Sequence, residues 1–188
     1  TGADFSGDLD LFDSSFGFQG ENPGDLLGSR VGYAGDVDGD GLSDVLLGSW
    51  ANDDVGTFSG KVYLIAGQDL VNGSQLSLGS DVVSWVGQSS GDRMGHSASG
   101  LGDVDGDGLD DIGFGAYGYD SGGTLSYQGA VFVEFSAGGM SGAGTSSHLV
   151  DQVLLGESSK HYAGYDVAGA GDLDEDGFDD ILVSALGY

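Results

Sequence analysis

The 188 residues carry 31 acids against four Lys or Arg, a formal charge of −27, and no cysteine. Disulfides, thiolate metal sites and thiol nucleophiles are therefore excluded, and nucleic acid or anionic lipid, which need a basic surface, are disfavoured as partners. Glycine is abundant at 39 residues, yet 39% apolar content with nine Phe, eight Tyr and two Trp supplies a core rather than a disordered chain. No apolar run reaches membrane-spanning length, so no membrane insertion is expected. Residues 1 to 20 lack the pattern of a signal peptide, so a secretion signal would lie outside this sequence.

In chain order, "FSGDLDLF" (5–12) matches "FSGKVYLI" (58–65), and "FGFQGE" (16–21) matches "VSWVGQ" (83–88). Both segments read as strands. "GYAGD" (32–36) is a short strand of small residues, and "DVLLGSW" (44–50) a buried apolar one. "GKVYLIAG" (60–67) alternates with β-branched and aromatic residues, and "VVSWVGQ" (82–88) makes a fourth strand. The series repeats as "SASGLGD" (97–103), "DIGFGAY" (111–117), "GAVFVEF" (129–135) and "DQVLLGE" (151–157). It begins again with "VAGAG" (167–171) and "DILVSAL" (180–186). Gly, Ser and Asp fill the connecting loops, and no window shows a helical period.

Three acidic stretches punctuate this series: "GDVDGDGLSD" from Gly35, "GDVDGDGLDD" from Gly102 and "GDLDEDGFDD" from Gly171. A glycine stands eight residues before each first aspartate (Gly28, Gly95, Gly164), and another eight before that (Gly20, Gly87, Gly156). Such spacing, held in three copies, marks a structural repeat. Four strands in each repeat predict an all-β propeller of four-stranded blades, 1–188 forming one domain. Blade 1 spans about 29–88 and blade 2 about 96–157; blade 3, about 165–188, is completed by 5–21. The innermost strands are rich in Gly, Ala and Ser, which lets backbones approach near a narrow axis. A monomeric three-bladed ring is therefore preferred to a strand-exchanged homodimer of six blades.

The aspartates point to a metal. Counted from the first Asp, acids occupy positions one, three, five and nine: Asp36, Asp38, Asp40 and Asp44; Asp103, Asp105, Asp107 and Asp111; Asp172, Asp174, Asp176 and Asp180. Position seven is Leu42, Leu109 or Phe178, expected to offer a backbone carbonyl while its side chain packs into the core. Gly41, Gly108 and Gly177 at position six permit a sharp turn. An all-oxygen donor set of this size suits Ca²⁺, giving three sites; without His or Cys ligands it disfavours zinc and copper. An EF-hand would need a Glu at position twelve and flanking helices, but that position holds Leu47, Phe114 or Val183 between strands. A solvated acidic turn could explain one copy, not three in register.

The pattern resembles the FG-GAP repeat of integrin alpha-subunit β-propellers and their bacterial relatives. The FG position is Leu27-Gly28, Met94-Gly95 and Ala163-Gly164. The GAP position is Gly48-Ser49-Trp50, Gly115-Ala116-Tyr117 and Ser184-Ala185-Leu186. The phenylalanine and proline are absent, but the D-x-D-x-D-G-x-x-D loop is complete three times. The resemblance implies four-stranded blades with Ca²⁺ in the hairpin between strands one and two.

His96, His148 and His161 occupy different repeat positions and form no catalytic constellation, so no enzyme is predicted. Tyr117, Tyr119, Tyr127 and Trp50 lie in or beside the loops joining strands two and three, at the end opposite the acidic hairpins, with Lys160 on the same face. Aromatics there could grip a protein or glycan ligand. Three bound Ca²⁺ would bring −27 only to about −21, and screening in a saline setting, marine or halophilic, relieves such repulsion. These features predict an extracellular or cell-surface Ca²⁺-binding adhesion module. The alternatives are an accessory or catalytic domain of a polysaccharide-active enzyme, and an architectural spacer in a larger surface protein.

Overall fold

A computed structural model describes residues 17–72, 77–122, 126–136 and 150–187. Ten strands and one short helix follow in the order β1 (Arg30–Gly35), β2 (Asp44–Ser49), β3 (Lys61–Ile65), α1 (Gly67–Asn72), β4 (Val83–Val86), β5 (Ser97–Gly102), β6 (Asp111–Ala116), β7 (Ala130–Glu134), β8 (Gln152–Leu155), β9 (Ala163–Gly171) and β10 (Asp180–Ala185). They form antiparallel sheets in simple meander order: sheet I is β1-β2-β3-β4, sheet II is β5-β6-β7-β8, and sheet III contains β9 and β10. Equivalent strands pair in equivalent register, Val31 opposite Leu47 in sheet I and Ala98 opposite Phe114 in sheet II. The sequence repeat is thus a repeat of whole sheets. The helix has no counterpart in the periodicity, because six residues are too few to show an amphipathic stripe. Asp44 Oδ1 accepts the N–H of Gly67 at its first residue.

Sheet II is packed on both faces, so β6 and β7 are buried along their whole length and read as unbroken apolar runs. Between sheets I and II lie Leu46, Leu64 and Trp85 against Ile112, Phe114 and Phe132; the Trp85 and Phe114 rings stand 5.2 Å apart. Between sheets II and III, Leu101, Val131 and Val133 meet Val167 and Ile181. Small residues set the spacing. A side chain at Gly48 would overlap the backbone carbonyl of Gly95, and one at Gly115 the carbonyl of Gly164. The glycines of the GAP and FG positions are therefore where one repeat touches the next.

The outer face of sheet I carries a separate cluster, in which Tyr63, Ile65, Leu78 and Val82 are covered by Phe18, Leu27 and Leu70. Of the strand expected at 16–21, residue 16 lies outside the described residues. Residues 17–20 form no strand, and Glu21 lies against sheet I rather than sheet III, bonded by Lys61 Nζ at 2.6 Å and Tyr63 Oη at 2.8 Å. Lys61 is fully buried and also reaches Asp54 at 2.8 Å. Burial pulls its ammonium down, but the two carboxylates outweigh that and hold it above its ordinary value. The strand expected at 5–12 lies outside the described residues. Among those described, sheet III has two strands, and Leu182 in β10 and Leu186 just beyond it are exposed.

Candidate functional site

The β1–β2, β5–β6 and β9–β10 connections are the acidic loops 36–44, 103–111 and 172–180, all at one end of the sheets. Each folds around its own first aspartate. Asp36 accepts N–H bonds from Gly39 and Gly41, both at 2.9 Å; Asp103 accepts them from Gly106 (2.7 Å) and Gly108 (3.0 Å). Asp172 accepts them from Asp176 and Gly177, each at 3.0 Å. Position three takes the N–H of position five, and position five that of position seven, in every copy. The backbone needed for this is left-handed at position six, with φ of 86, 92 and 98° at Gly41, Gly108 and Gly177. Only glycine adopts that without strain.

This wrapping turns carboxylate oxygens toward a common centre. Ligand atoms of Asp36, Asp38 and Asp40 lie within 4.8 Å of one another, as do those of Asp103, Asp105 and Asp111, and of Asp172, Asp174 and Asp180. Asp44 stands outside the first of these sets, and Asp107 and Asp176 outside the other two. Position nine opens the second strand and is buried at Asp44 and Asp111. Burial pushes both carboxyls up, against the N–H bonds from Gly67 and Val37 and from Ser136 and Val104; the neighbouring loop carboxylates push the same way. A cation would reverse that push. All-oxygen donors, spaced for convergence and already oriented by backbone bonds, fit a hard divalent ion.

Position seven departs from expectation. Leu42 and Phe178 are 38% and 46% exposed rather than packed in the core, because the hairpin tips project beyond the ends of the sheets. Leu109 and Phe178 lie instead over the preceding loop, at Gly39 and Gly106.

At the opposite end, Tyr117 and Tyr165 gather around His96, and Tyr162 stands 6.3 Å from Tyr117. The His96 ring is 4.5 Å from Tyr117 and 4.6 Å from Tyr165; Tyr117 and Tyr165 are 5.2 Å apart, and Tyr127 adjoins Tyr162 at 5.8 Å. Arg93 lies over Tyr117 at 5.1 Å, a cation–π contact. Arg93, Tyr127, Lys160 and Tyr162 all adopt positive φ, between 53 and 63°, which is costly for residues with side chains. Beside them is a cleft of about 390 Å³ lined by Ser89, Ser90, Asp92, Asp120, Ser126 and Tyr127. Of the aromatics singled out by sequence, Tyr117 and Tyr127 belong to this group. Tyr119 turns inward, edge-on to Phe132 at 5.3 Å, and Trp50 pairs with Phe58 at 5.7 Å. Tyr162, Tyr165 and Arg93 were not legible as members, since Arg93 precedes β5 while Tyr162 and Tyr165 lie about 70 residues on, at the start of β9.

Antiparallel sheets repeated with an acid-rich hairpin in each define an all-β repeat protein with candidate metal loops. No family model matches the chain. It is 32% identical over 181 residues to integrin alpha-5 of Xenopus laevis, and 28% identical over 172 residues to integrin alpha-PS5 of Drosophila melanogaster. These alignments cover 93% and 90% of the chain but 16% of each relative, so the chain spans about a sixth of their length. The chain is related to integrin alpha subunits through FG-GAP-type repeats. No helix among the described residues is long and apolar enough to cross a membrane.

Proposed function

We propose that the chain is a Ca²⁺-binding, integrin-like module of an extracellular or cell surface, built for adhesion rather than catalysis. The observation that carries this is the threefold convergence of carboxylate oxygens within 4.8 Å on hairpins of one shape. Asp36, Asp38, Asp40 and Asp44, with the Leu42 carbonyl, hold the first ion. Asp103, Asp105, Asp107 and Asp111 with Leu109, and Asp172, Asp174, Asp176 and Asp180 with Phe178, hold the second and third. Calcium is favoured because it accepts seven or so oxygens in adaptable geometry, whereas Mg²⁺ keeps several waters. Its role is structural: it supplies the positive charge that lets hairpin tips and sheet ends hold one conformation.

The adhesive contact is the aromatic end. Tyr117 and Tyr165 offer ring faces, Arg93 a cation, and the adjacent cleft hydroxyls and carboxylates, a combination suited to a protein or glycan ligand. Isothermal titration of calcium-stripped protein tests the metal part: three equivalents are expected, falling to two in Asp105→Ala. Three equivalents in the variant would refute the assignment. Glycan-array and protein-array binding, compared between the unaltered chain and Tyr165→Ala, tests the contact. Binding that survives the substitution unchanged would place it elsewhere.

A further inference from the structure

Position eight of the acidic loop has no part in the ligand spacing, yet the structure gives it a partner in another sheet. Asp110 of the second loop accepts the N–H of Asp36 in the first at 2.8 Å, and its own N–H points to the Asp36 carbonyl at 3.4 Å. Asp179 of the third loop does the same to Asp103 in the second, at 3.1 and 3.0 Å. Each contact is a two-point clasp on the backbone of the first aspartate, one bond to the peptide on either side of its Cα. The surroundings are cut to admit it. A side chain at Gly35 would overlap Asp110, and one at Gly102 would overlap Asp179. Leu109 and Phe178 complete the joint, 3.1 and 2.6 Å from where a Cβ at Gly39 and Gly106 would stand.

The series has a direction. In the first loop position eight is Ser43, whose hydroxyl pairs with Tyr33 within its own sheet. In the third loop a side chain at Gly171 would meet none of the described residues within 4 Å, and position four is Glu175, at φ 62°, instead of glycine. Glycine thus stands at position four where a neighbouring loop lies over it, and aspartate at position eight where a loop lies over its predecessor.

We infer that Asp110 and Asp179 are positioning residues that pre-organise the metal loop of the preceding sheet, while no described residue gives the third loop such support. The inference rests on the calcium reading above. A residue whose own N–H and C=O are both held has its φ and ψ restrained, so the carboxylate it carries loses less freedom on binding an ion. The first and second loops should therefore bind more tightly than the third, and each depends on a residue in the next sheet.

Calcium titration of the ¹⁵N-labelled full chain, followed by NMR, resolves the loops, because Gly41, Gly108 and Gly177 each report on one. In the unaltered protein the Gly177 midpoint should be highest. In Asp110→Ala the Gly41 midpoint should rise roughly tenfold, the scale of one lost charge-assisted hydrogen bond, while Gly108, in the mutated loop itself, stays within about twofold. Asp110→Asn keeps an acceptor oxygen without the charge and should largely restore Gly41. Exchange of the Asp36 amide should quicken in calcium-free Asp110→Ala. Asp179→Ala gives the same readings one loop further on, at Gly108 and Asp103, should Asp110→Ala fail to fold. A Gly41 midpoint that does not move, three midpoints that move together, or an Asn variant as weak as the Ala variant would overturn the inference alone. An unaltered protein that binds no calcium would overturn the calcium reading and the inference with it.

Discussion

Removing calcium should destabilise the fold by an amount set by the number of loops. With three or more carboxylate oxygens held within 4.8 Å in each loop, two unit charges at that distance repel by about 1 kcal/mol even at the dielectric of water. Chelation leaves these repulsions opposed, among the described residues, by backbone N–H bonds. A site occupied at a hundredfold excess over Kd stabilises by about 2.7 kcal/mol, so three independent sites contribute about 8 kcal/mol. For a chain of 188 residues each kcal/mol moves the melting temperature by about 2–4 °C, which puts the expected fall on the order of 20 °C. Circular dichroism melts in millimolar CaCl₂ and in EGTA, with calcium restored in a third sample, measure it. Sodium chloride should recover only part of the loss, by screening. Superimposable melts in calcium and chelator would refute the reasoning.

Two further substitutions test the junction between sheets I and II. Trp85 is fully buried against Phe114, and Trp85→Ala should cost about 3–5 kcal/mol through lost burial and a residual cavity; chemical denaturation measures it, and a loss below about 1 kcal/mol would contradict the packing. Glu134 is buried near Trp85 and Asp151, and burial first, then Asp151, pushes its carboxyl up to about 7. Its folded value lies above the unfolded 4.5, so the folded chain holds the proton more tightly and stability falls as pH rises from about 4.5 to 7, then levels off. Glu134→Gln should flatten the upper part of that slope in melts between pH 5 and 7; an unchanged slope would contradict it.

The strands were legible because burial on both faces writes apolar runs such as "DVLLGS" and "AVFVE" directly into the chain. The metal loops were legible for a different reason: their geometry is local, the carboxylates at positions one, three and five bonding backbone within five residues of themselves. What sequence could not supply was contact across the chain. Asp110 and Asp36 are 74 positions apart, and position eight looked like one more acid in an acidic turn. The aromatic end failed for the same reason, since Tyr117 and His96 meet Tyr165 only after sheets II and III have stacked. Local alignment also reads 16–21 as a strand, which residues 17–20 do not form. The match of "FGFQGE" to "VSWVGQ" is real at the level of residues, but Phe18 and Glu21 find partners on the outer face of sheet I.

That outer face bears on how the chain associates. A second copy adding sheet III of one chain to sheet I of another would have to displace Phe18, Leu27 and Leu70 from the cluster around Tyr63 and Ile65. It would also form a joint unlike the other two. Ser43 is a carboxylate short of the clasp made by Asp110 and Asp179, and Glu175 puts a side chain where Gly39 and Gly106 leave room for the next loop. Both the covering residues and the loop chemistry therefore oppose head-to-tail growth through sheet I. Light scattering of the chain in millimolar Ca²⁺ should give its own mass of 18.9 kDa. A stable species of twice that mass would show that sheet I is open to a partner after all, and would favour the strand-exchanged pair.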